Sequence, residues 1–316
     1  MSTDAALAGM RVGVTGSSGL VGSALVDHLR GHGATCARFI RGVTSLSGND
    51  RSWNPNACVD GTPLPLVDGL DAVVHLAGAS VASQRWSRRR KTEVRESRVH
   101  STRTLALALA RAKVRPATLV CASGIGYYGD CGDQPVDESS AAGSGFLAEV
   151  VREWEAAAEP AREAGVRVVH ARFGVILTTR GGALHRMLPA FRLGLGGPIG
   201  SGRQGFSWIS LDDAVGAVSC FLHDTRAEGA INVVANAACS QREFARALGA
   251  VLHRWAMLRA PAPIVRLALG EMGDELLLRG AFVQPRRLRE LGYSFQHPTL
   301  RGALSSLIAF SGRNGA

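Results

Sequence analysis

The stretch Arg11-Val12-Gly13-Val14-Thr15-Gly16-Ser17-Ser18-Gly19-Leu20-Val21-Gly22 decides how this chain is read. A short apolar run leads into glycines at 16, 19 and 22, and then into Ser23-Ala24-Leu25-Val26-Asp27-His28-Leu29-Arg30, whose apolar positions 25, 26 and 29 recur at helical spacing. Strand, tight turn and helix in that order are the setting in which such a triplet binds the phosphates of a nucleotide. Gly16 accepts the turn conformation, Gly19 lets a pyrophosphate approach without a Cβ in the way, and Gly22 lets the helix lie on the strand. The helix N-terminus adds free N–H groups and the positive end of a dipole. Thr15, Ser17, Ser18, Leu20 and Val21 complete the expected nucleotide-binding loop.

Working outward, Ala34 to Arg41 reads as a second strand, whose end meets the adenosine ribose in a dinucleotide fold. An acidic residue there would bind the 2′-hydroxyl of NAD, but this chain has Arg41, with Arg38 nearby. Arginine favours a 2′-phosphate, so the expected cofactor is NADP; each such charge-assisted bond contributes about 1.5–3 kcal/mol. A solvated arginine in an arginine-rich chain is the competing reading. Gly42 to Gly69 is rich in Gly, Pro, Asn and Ser and reads as loop with at most a short strand.

Asp71 to Ala79 is a buried strand closing on Leu76, Ala77 and Gly78, small enough at its end for cofactor phosphates and ribose to lie against the backbone. His75, inside that apolar run, reads as a core histidine. Arg85 to Ala112 is a helix with a basic start, Arg88 to Lys91 reading as a solvated face, and with Arg98 able to look toward the cofactor. Leu119 to Ser123 is the next strand, Glu149 to Ala164 a helix and Val166 to Arg172 another strand. After the glycine breaks at 181–182 and 194–197, Asp212-Asp213 opens a helix to His223, and Gly229 to Val234 is a last strand. Such alternation implies an α/β fold with a Rossmann-type, doubly wound parallel sheet. Amphipathic helices at 241–253, 263–278 and 285–291 then suggest a small, mostly helical C-terminal domain. The expected division is a nucleotide-binding domain over 1–235, with 180–205 turned toward the substrate, and a domain over 236–316 closing the cleft.

Composition narrows the classes. The six cysteines are scattered with no C-x-x-C pair, which argues against a zinc site or disulfide framework, and no metal site is expected. The formal charge of +10 comes almost wholly from arginine, Lys91 and Lys113 being the only lysines. With 6% aromatic residues and no nucleic-acid module, an anionic small molecule is a better partner than nucleic acid. No apolar run reaches the roughly 18 residues of a membrane span, and Met1 to Asp4 lacks the basic start of a signal peptide. The expectation is a soluble, cytoplasmic chain with no membrane partner, and a homodimer is the assembly to test.

These pieces together resemble the epimerase/dehydratase branch of the extended short-chain dehydrogenase/reductase family. The resemblance rests on Thr15-Gly16-x-x-Gly19-x-x-Gly22, His75-Leu76-Ala77-Gly78, Ser123 to Gly129, Arg172 and Trp208 to Asp213. Within that branch the chain is similar to the atypical "epimerase family protein" subgroup. Its marks here are Arg85-Trp86, Ser97-Arg98-Val99, Gly126-Tyr127-Tyr128-Gly129-Asp130, Trp154-Glu155, Arg192 to Gly200, Gly202-Arg203-Gln204 and Gly270-Glu271-Met272.

The family's hydride transfer depends on a Tyr-x-x-x-Lys pair, in which tyrosine is the acid/base and lysine lowers its pKa. Four residues after Tyr127, Tyr128 and Tyr293 stand Cys131, Gly132 and His297, so the pair is absent. By position Phe146 replaces the tyrosine, Val150 the lysine and Gly124 the assisting serine or threonine, beside Ser123. The resemblance implies Tyr127 as substitute acid/base, Ser123 as its partner and Arg98 to orient or polarise a substrate oxygen, with Glu149 and Asp130 as further candidates. It places Ser123 and Arg172 at the cofactor, and Arg203, Gln204 and Trp208, with Tyr127, at a small polar or anionic substrate. Tyr127 packed under the sheet and Ser123 capping a turn stand as the structural alternative. Two functions follow: an NADP(H)-dependent oxidoreductase or epimerase-like enzyme with an altered catalytic set, or a silent NADP(H)-binding regulator or scaffold linked to cell division.

Overall fold

Side chains alternate across each strand, and that alternation sorts this chain into two cores. In β1 (Arg11–Thr15), Val12 and Val14 enter one core, while Gly13 faces Leu70 and Phe39 in the other. The same division runs through β4 (Ala72–His75), where Val74 joins the first core and Val73 the second. Strands buried on both faces need helices on both, which is the doubly wound arrangement. The computed structural model describes residues 6–41, 48–55 and 67–313.

The sheet has seven parallel strands, the others being β2 (Thr35–Ile40), β3 (Arg51–Ser52), β5 (Thr118–Gly124), β6 (Arg167–Phe173) and β7 (Gly229–Val233). Their order across the sheet is β7-β6-β5-β4-β1-β2-β3, so direction of travel reverses between β1 and β4. Ligands in open α/β sheets bind at that switch point, beyond the carboxyl ends of the strands. Helix α1 (Leu20–Gly31) packs through Leu25, Val26 and Leu29 on the first core. Helix α2 (Arg88–Arg111) covers the second with Leu105, Ala106 and Leu109.

Several element boundaries differ from the sequence reading. The helix expected at 149–164 is two, α3 (Phe146–Ala156) and α4 (Glu159–Glu163), the second with Pro160 in its first turn, where a missing N–H costs nothing. Helix α5 (Gly182–Arg192) lies between the glycine breaks, and α6 (Leu211–His223) starts where Ser210 accepts from the Asp213 N–H. Helix α7 (Gln241–Val251) carries a full capping box. The helix expected at 263–278 is broken after α8 (Ala262–Leu269), where Gly270 takes a φ of 61°, and resumes as a short α turn over Glu271–Gly273 and a π turn over Asp274–Leu278. Next come α9 (Arg286–Glu290) and α10 (Leu300–Arg313), the latter unforeseen from sequence. Of the loop expected at 42–69, β3 is the short strand, while 42–47 and 56–66 lie outside the described residues, as do Met1 to Asp4.

Three two-stranded sheets stitch the C-terminal half to the rest: 175–177 with 208–210, 205–206 with 239–240, and 135–136 with 282–283. The basic start of α2 is only partly solvated. Lys91 Nζ reaches Glu271 Oε1 at 2.7 Å, Arg85 donates to the Leu267 carbonyl, and Arg90 is buried on Ser80, Ser83 and Glu93. No helix among the described residues is long and apolar enough to cross a membrane.

Candidate functional site

At the switch point the glycine turn is as close as covalent geometry permits. Gly16 has a φ of 64°, and a Cβ on it would stand 2.8 Å from the Leu76 carbonyl carbon. A Cβ on Gly22 would fall 2.1 Å from the Gly16 oxygen, so only glycine lets α1 sit this low on β1. Helices α2, α6 and α7 each begin on a serine side chain that accepts a first-turn N–H. Helix α1 begins on Gly19 with no side-chain cap. Its first-turn N–H groups are therefore left for a ligand.

A cavity of about 1000 Å³ opens there, lined by Gly16 to Gly19, Arg38 to Arg41, Trp53 and Leu76 to Ala79, with Glu96, Ser97, His100 and Ser101 on its α2 side. Its floor is held by side chains. Thr15 Oγ accepts from the N–H groups of Leu76 and Ala77 at 3.1 and 3.2 Å, and Ser97 Oγ accepts from Ala79 at 3.0 Å. With both acceptor positions filled, the Thr15 proton goes to His75 Nδ1 at 2.7 Å, which puts the imidazole proton on Nε2, facing Ser101 Oγ at 3.2 Å. Ser101 passes its own proton to the Ser97 carbonyl at 2.7 Å. His75 is the fully buried core histidine the sequence suggested, and burial, with Arg41 adding, lowers its pKa to about 3.

The two arginines at the end of β2 differ. Arg38 is clasped by Asp50, with Nε–Oδ1 at 2.9 Å and Nη2–Oδ2 at 2.6 Å. Arg41 has no carboxylate partner among the described residues and lies 5.9 Å from the Trp53 ring centre, exposed at the cavity edge. It is the cation open to a 2′-phosphate.

Arg98 stands just past the Gly78 end of the cavity. A Cβ on Gly78 would meet its guanidinium carbon at 3.4 Å, and the guanidinium lies 5.1 Å from the Trp154 ring centre. Its one close carbonyl is that of Val94, at 3.0 Å, and no carboxylate among the described residues neutralises it. Burial, helped by the charge of Arg90, pushes its pKa down to about 10. Such a desolvated cation favours a negative ligand.

Ser123 and Arg172, expected at the cofactor, are instead tied into a buried cluster. Arg172 meets Glu155 through two bonds, at 2.8 and 2.7 Å, and donates to the Tyr128 hydroxyl at 3.1 Å. Ser123 Oγ donates to Glu155 at 2.6 Å, and Tyr128 donates to Asn232 at 2.8 Å. Burial alone would raise the pKa of Glu155; the paired Arg172 outweighs it and holds the carboxyl below its ordinary range. Tyr127 lies on top, its ring centre 3.5 Å from the Arg172 guanidinium, half-buried, with no hydrogen-bond partner for its hydroxyl among the described residues. Ser123 is thus a ligand of Glu155 rather than a partner of Tyr127, and Arg172 is the platform of Tyr127 rather than a wall of the cavity.

The Trp154-Glu155 pair marks the family in sequence but gives Glu155 no role by itself. The available sign was a carboxylate at helical spacing from Val151, on the stripe α3 buries.

The expected substrate set does not assemble at the cavity either. Trp208 is 1% exposed, in a core with Leu177, Leu184 and Phe244. The Gln204 amide donates to the Ile199 and Leu277 carbonyls, and Arg203 stands exposed beside Ser201. Glu149 pairs with Arg95 at the surface, and Asp130 accepts from the Gly132 N–H. Phe146 and Val150 are buried with Val94, Phe146 edge-on to Trp86 at 5.0 Å and under Lys91 Nζ at 4.5 Å. The described residues hold no group of His, Cys, Asp and Glu arranged for a metal ion.

An uncapped helix above a glycine turn, at the reversal point of a parallel sheet, defines a Rossmann-type dinucleotide-binding protein. More narrowly, the chain belongs to the NAD dependent epimerase/dehydratase family, whose profile matches residues 12–234. A domain of unknown function, DUF1731, matches residues 260–307. An epimerase family protein of Mycobacterium bovis is 43% identical over 293 residues, covering 93% of this chain and 96% of the relative. The crystal structure of human epimerase family protein SDR39U1 (isoform 2) with NADPH superposes with a TM-score of 0.86 at 35% identity, over 95% of this chain and 99% of that one. A nucleoside-diphosphate sugar epimerase from Corynebacterium glutamicum follows at 0.77 and 31%, over 98% of this chain and 61% of the other.

Proposed function

We propose that the chain is an NADP(H)-binding oxidoreductase or epimerase-like enzyme in which Tyr127 does the acid–base work and Arg98 orients a small polar or anionic substrate. The observation that carries this reading is the uncapped α1 N-terminus over a cavity edged by the open cation Arg41. The relative crystallised with NADPH supports the same cofactor. When bound, the nicotinamide supplies hydride transfer. Tyr127 follows the carboxyl end of β5, next to β4, and its ring lies on Arg172 while its hydroxyl has no hydrogen-bond partner among the described residues. Arg98, lacking a carboxylate, supplies charge to a substrate oxygen or carboxylate.

The test is NADPH consumption across a panel of carbonyl compounds with the native chain and Tyr127→Phe. Loss of a positioned acid/base lowers turnover by about 10²–10⁴ while leaving NADPH affinity in place. Turnover untouched by the change removes Tyr127 from the mechanism.

The second reading, a silent NADP(H)-binding regulator linked to cell division, draws on the burial of Phe146 and Val150 and the capture of Ser123 by Glu155. It expects NADPH to bind and never be consumed, so one carbonyl turned over at an appreciable rate ends it.

A further inference from the structure

Among the described residues, every exposed large apolar side chain except Val114 lies in one part of the C-terminal half. Leu193 and Leu195 follow α5, and Trp255, Met257 and Leu258 follow α7. The two segments run side by side. Arg254 Nε donates to the Arg192 carbonyl at 2.9 Å, the Ala260 N–H to Pro198 at 2.9 Å, and the Gly200 N–H to Ala260 at 2.8 Å. Helix α8 continues directly, turning Val265 inward and Ile264 and Leu267, one turn apart, outward. Trp255 is 79% exposed, and a cluster of this kind on a folded chain marks a contact surface.

Its chemistry says what it contacts. Residues 192–200 and 254–270 hold only glycine, alanine, proline, larger apolar residues and arginine, with no serine, threonine, asparagine or glutamine. No Asp or Glu occurs anywhere in 178–211 or 244–270. Arg254 and Arg259 meet backbone carbonyls, and of the arginines here only Arg266 pairs with a carboxylate, Asp274, among the described residues. A second copy across a two-fold axis would set these cations against themselves. A protein partner would look for about one hydrogen bond per 100–200 Å², and the Trp255 indole N–H is the one neutral side-chain donor this face has to give. A bilayer with anionic headgroups asks for aliphatic and indole side chains at the acyl boundary and cations at the phosphates.

We propose that this face docks the protein reversibly on an anionic phospholipid surface, with Leu195, Trp255 and Met257 entering the acyl boundary and Arg254 and Arg259 meeting the phosphates. This departs from the expectation of no membrane partner, which considered spanning segments alone; surface docking needs no spanning helix. It is independent of the chemistry at the nucleotide cavity.

The experiment is co-sedimentation with vesicles of phosphatidylcholine alone or mixed with phosphatidylglycerol, with tryptophan emission recorded on the same samples. Trp53, Trp154 and Trp208 are buried and Trp86 is half-buried, held on the Val81 carbonyl and against Phe146, so Trp255, the exposed one, dominates any change in emission. The expected result is binding to the mixed vesicles, a blue shift on binding, and release by salt. Arg254→Gln with Arg259→Gln weakens partition about twenty-fivefold, near fivefold per charge. Leu195→Ser with Met257→Ser keeps every charge and removes the blue shift, circular dichroism reporting that both variants are folded. Equal binding to the two vesicle types overturns the proposal, as does no binding to either. Dimerisation abolished by Leu195→Ser with Met257→Ser assigns the face to a second copy, and capture of polyglutamate with no vesicle binding assigns it to an acidic protein; each also overturns it.

Discussion

Glu155 ties α3 to two strands of the sheet, because it compensates Arg172 and orients Ser123 at once. Deleting one member of a buried ion pair leaves the other uncompensated, at a cost of about 3–5 kcal/mol. Glu155→Ala is therefore expected to lower the melting temperature sharply, whereas Ser123→Ala removes one hydrogen bond and costs about 1 kcal/mol; equal effects would contradict the network. His75 gives a pH signature. Its folded pKa, about 3, lies below the ordinary 6.5, so between those values the unfolded chain binds the extra proton. The stability it contributes is whole above pH 6.5 and drains away as pH falls toward 3. His75→Gln should flatten the fall in melting temperature over that window, and an unchanged slope would mean the imidazole is not what titrates. Residue types foretold the core histidine and the missing Tyr-x-x-x-Lys. They did not foretell that Arg172 and Ser123 face Glu155, since that pairing exists only after α3 packs on the ends of β5 and β6.

At the scale of elements, α1 is marked by an uncapped start lying directly over a turn whose glycines stand at 16, 19 and 22. Gly22→Ala places a methyl where the Gly16 oxygen already stands, so the helix must lift. NADPH titration should show binding lost or weakened at least tenfold, together with a lower melting temperature. Gly31→Ala, at the far end of α1 with open space around it, should stabilise by about 0.5–1 kcal/mol and leave binding alone. The seven-stranded alternation and most helices were legible because apolar period and glycine spacing are local. The division between α3 and α4 and the break at Gly270 were not, since apolar spacing runs on through both. The short strand pairs were hidden for another reason: two residues carry no period, and their partners lie far along the chain.

For the molecule as a whole, a ligand that binds only the folded chain stabilises it by mass action, about 2.7 kcal/mol at a hundred times its dissociation constant. NADPH is thus expected to raise the melting temperature. In Arg41→Ser that rise should need about ten to a hundred times more NADPH, with the response to NADH unaltered. A variant that loses both responses alike would place Arg41 outside the 2′-phosphate contact. The same cavity also has a history in time. Its floor hangs on Thr15, whose hydroxyl receives the N–H groups of Leu76 and Ala77, 61 and 62 residues later in the chain. At roughly 5–20 residues per second of synthesis, the glycine turn waits about 3–12 s on the ribosome before the second half of its cradle exists. A nascent chain that has formed only β1, α1 and β2 has the phosphate motif complete in sequence and no pocket. Nucleotide capture therefore reports that translation has passed β4, and the motif nearest the N-terminus starts to work only when a segment some sixty residues downstream has been made.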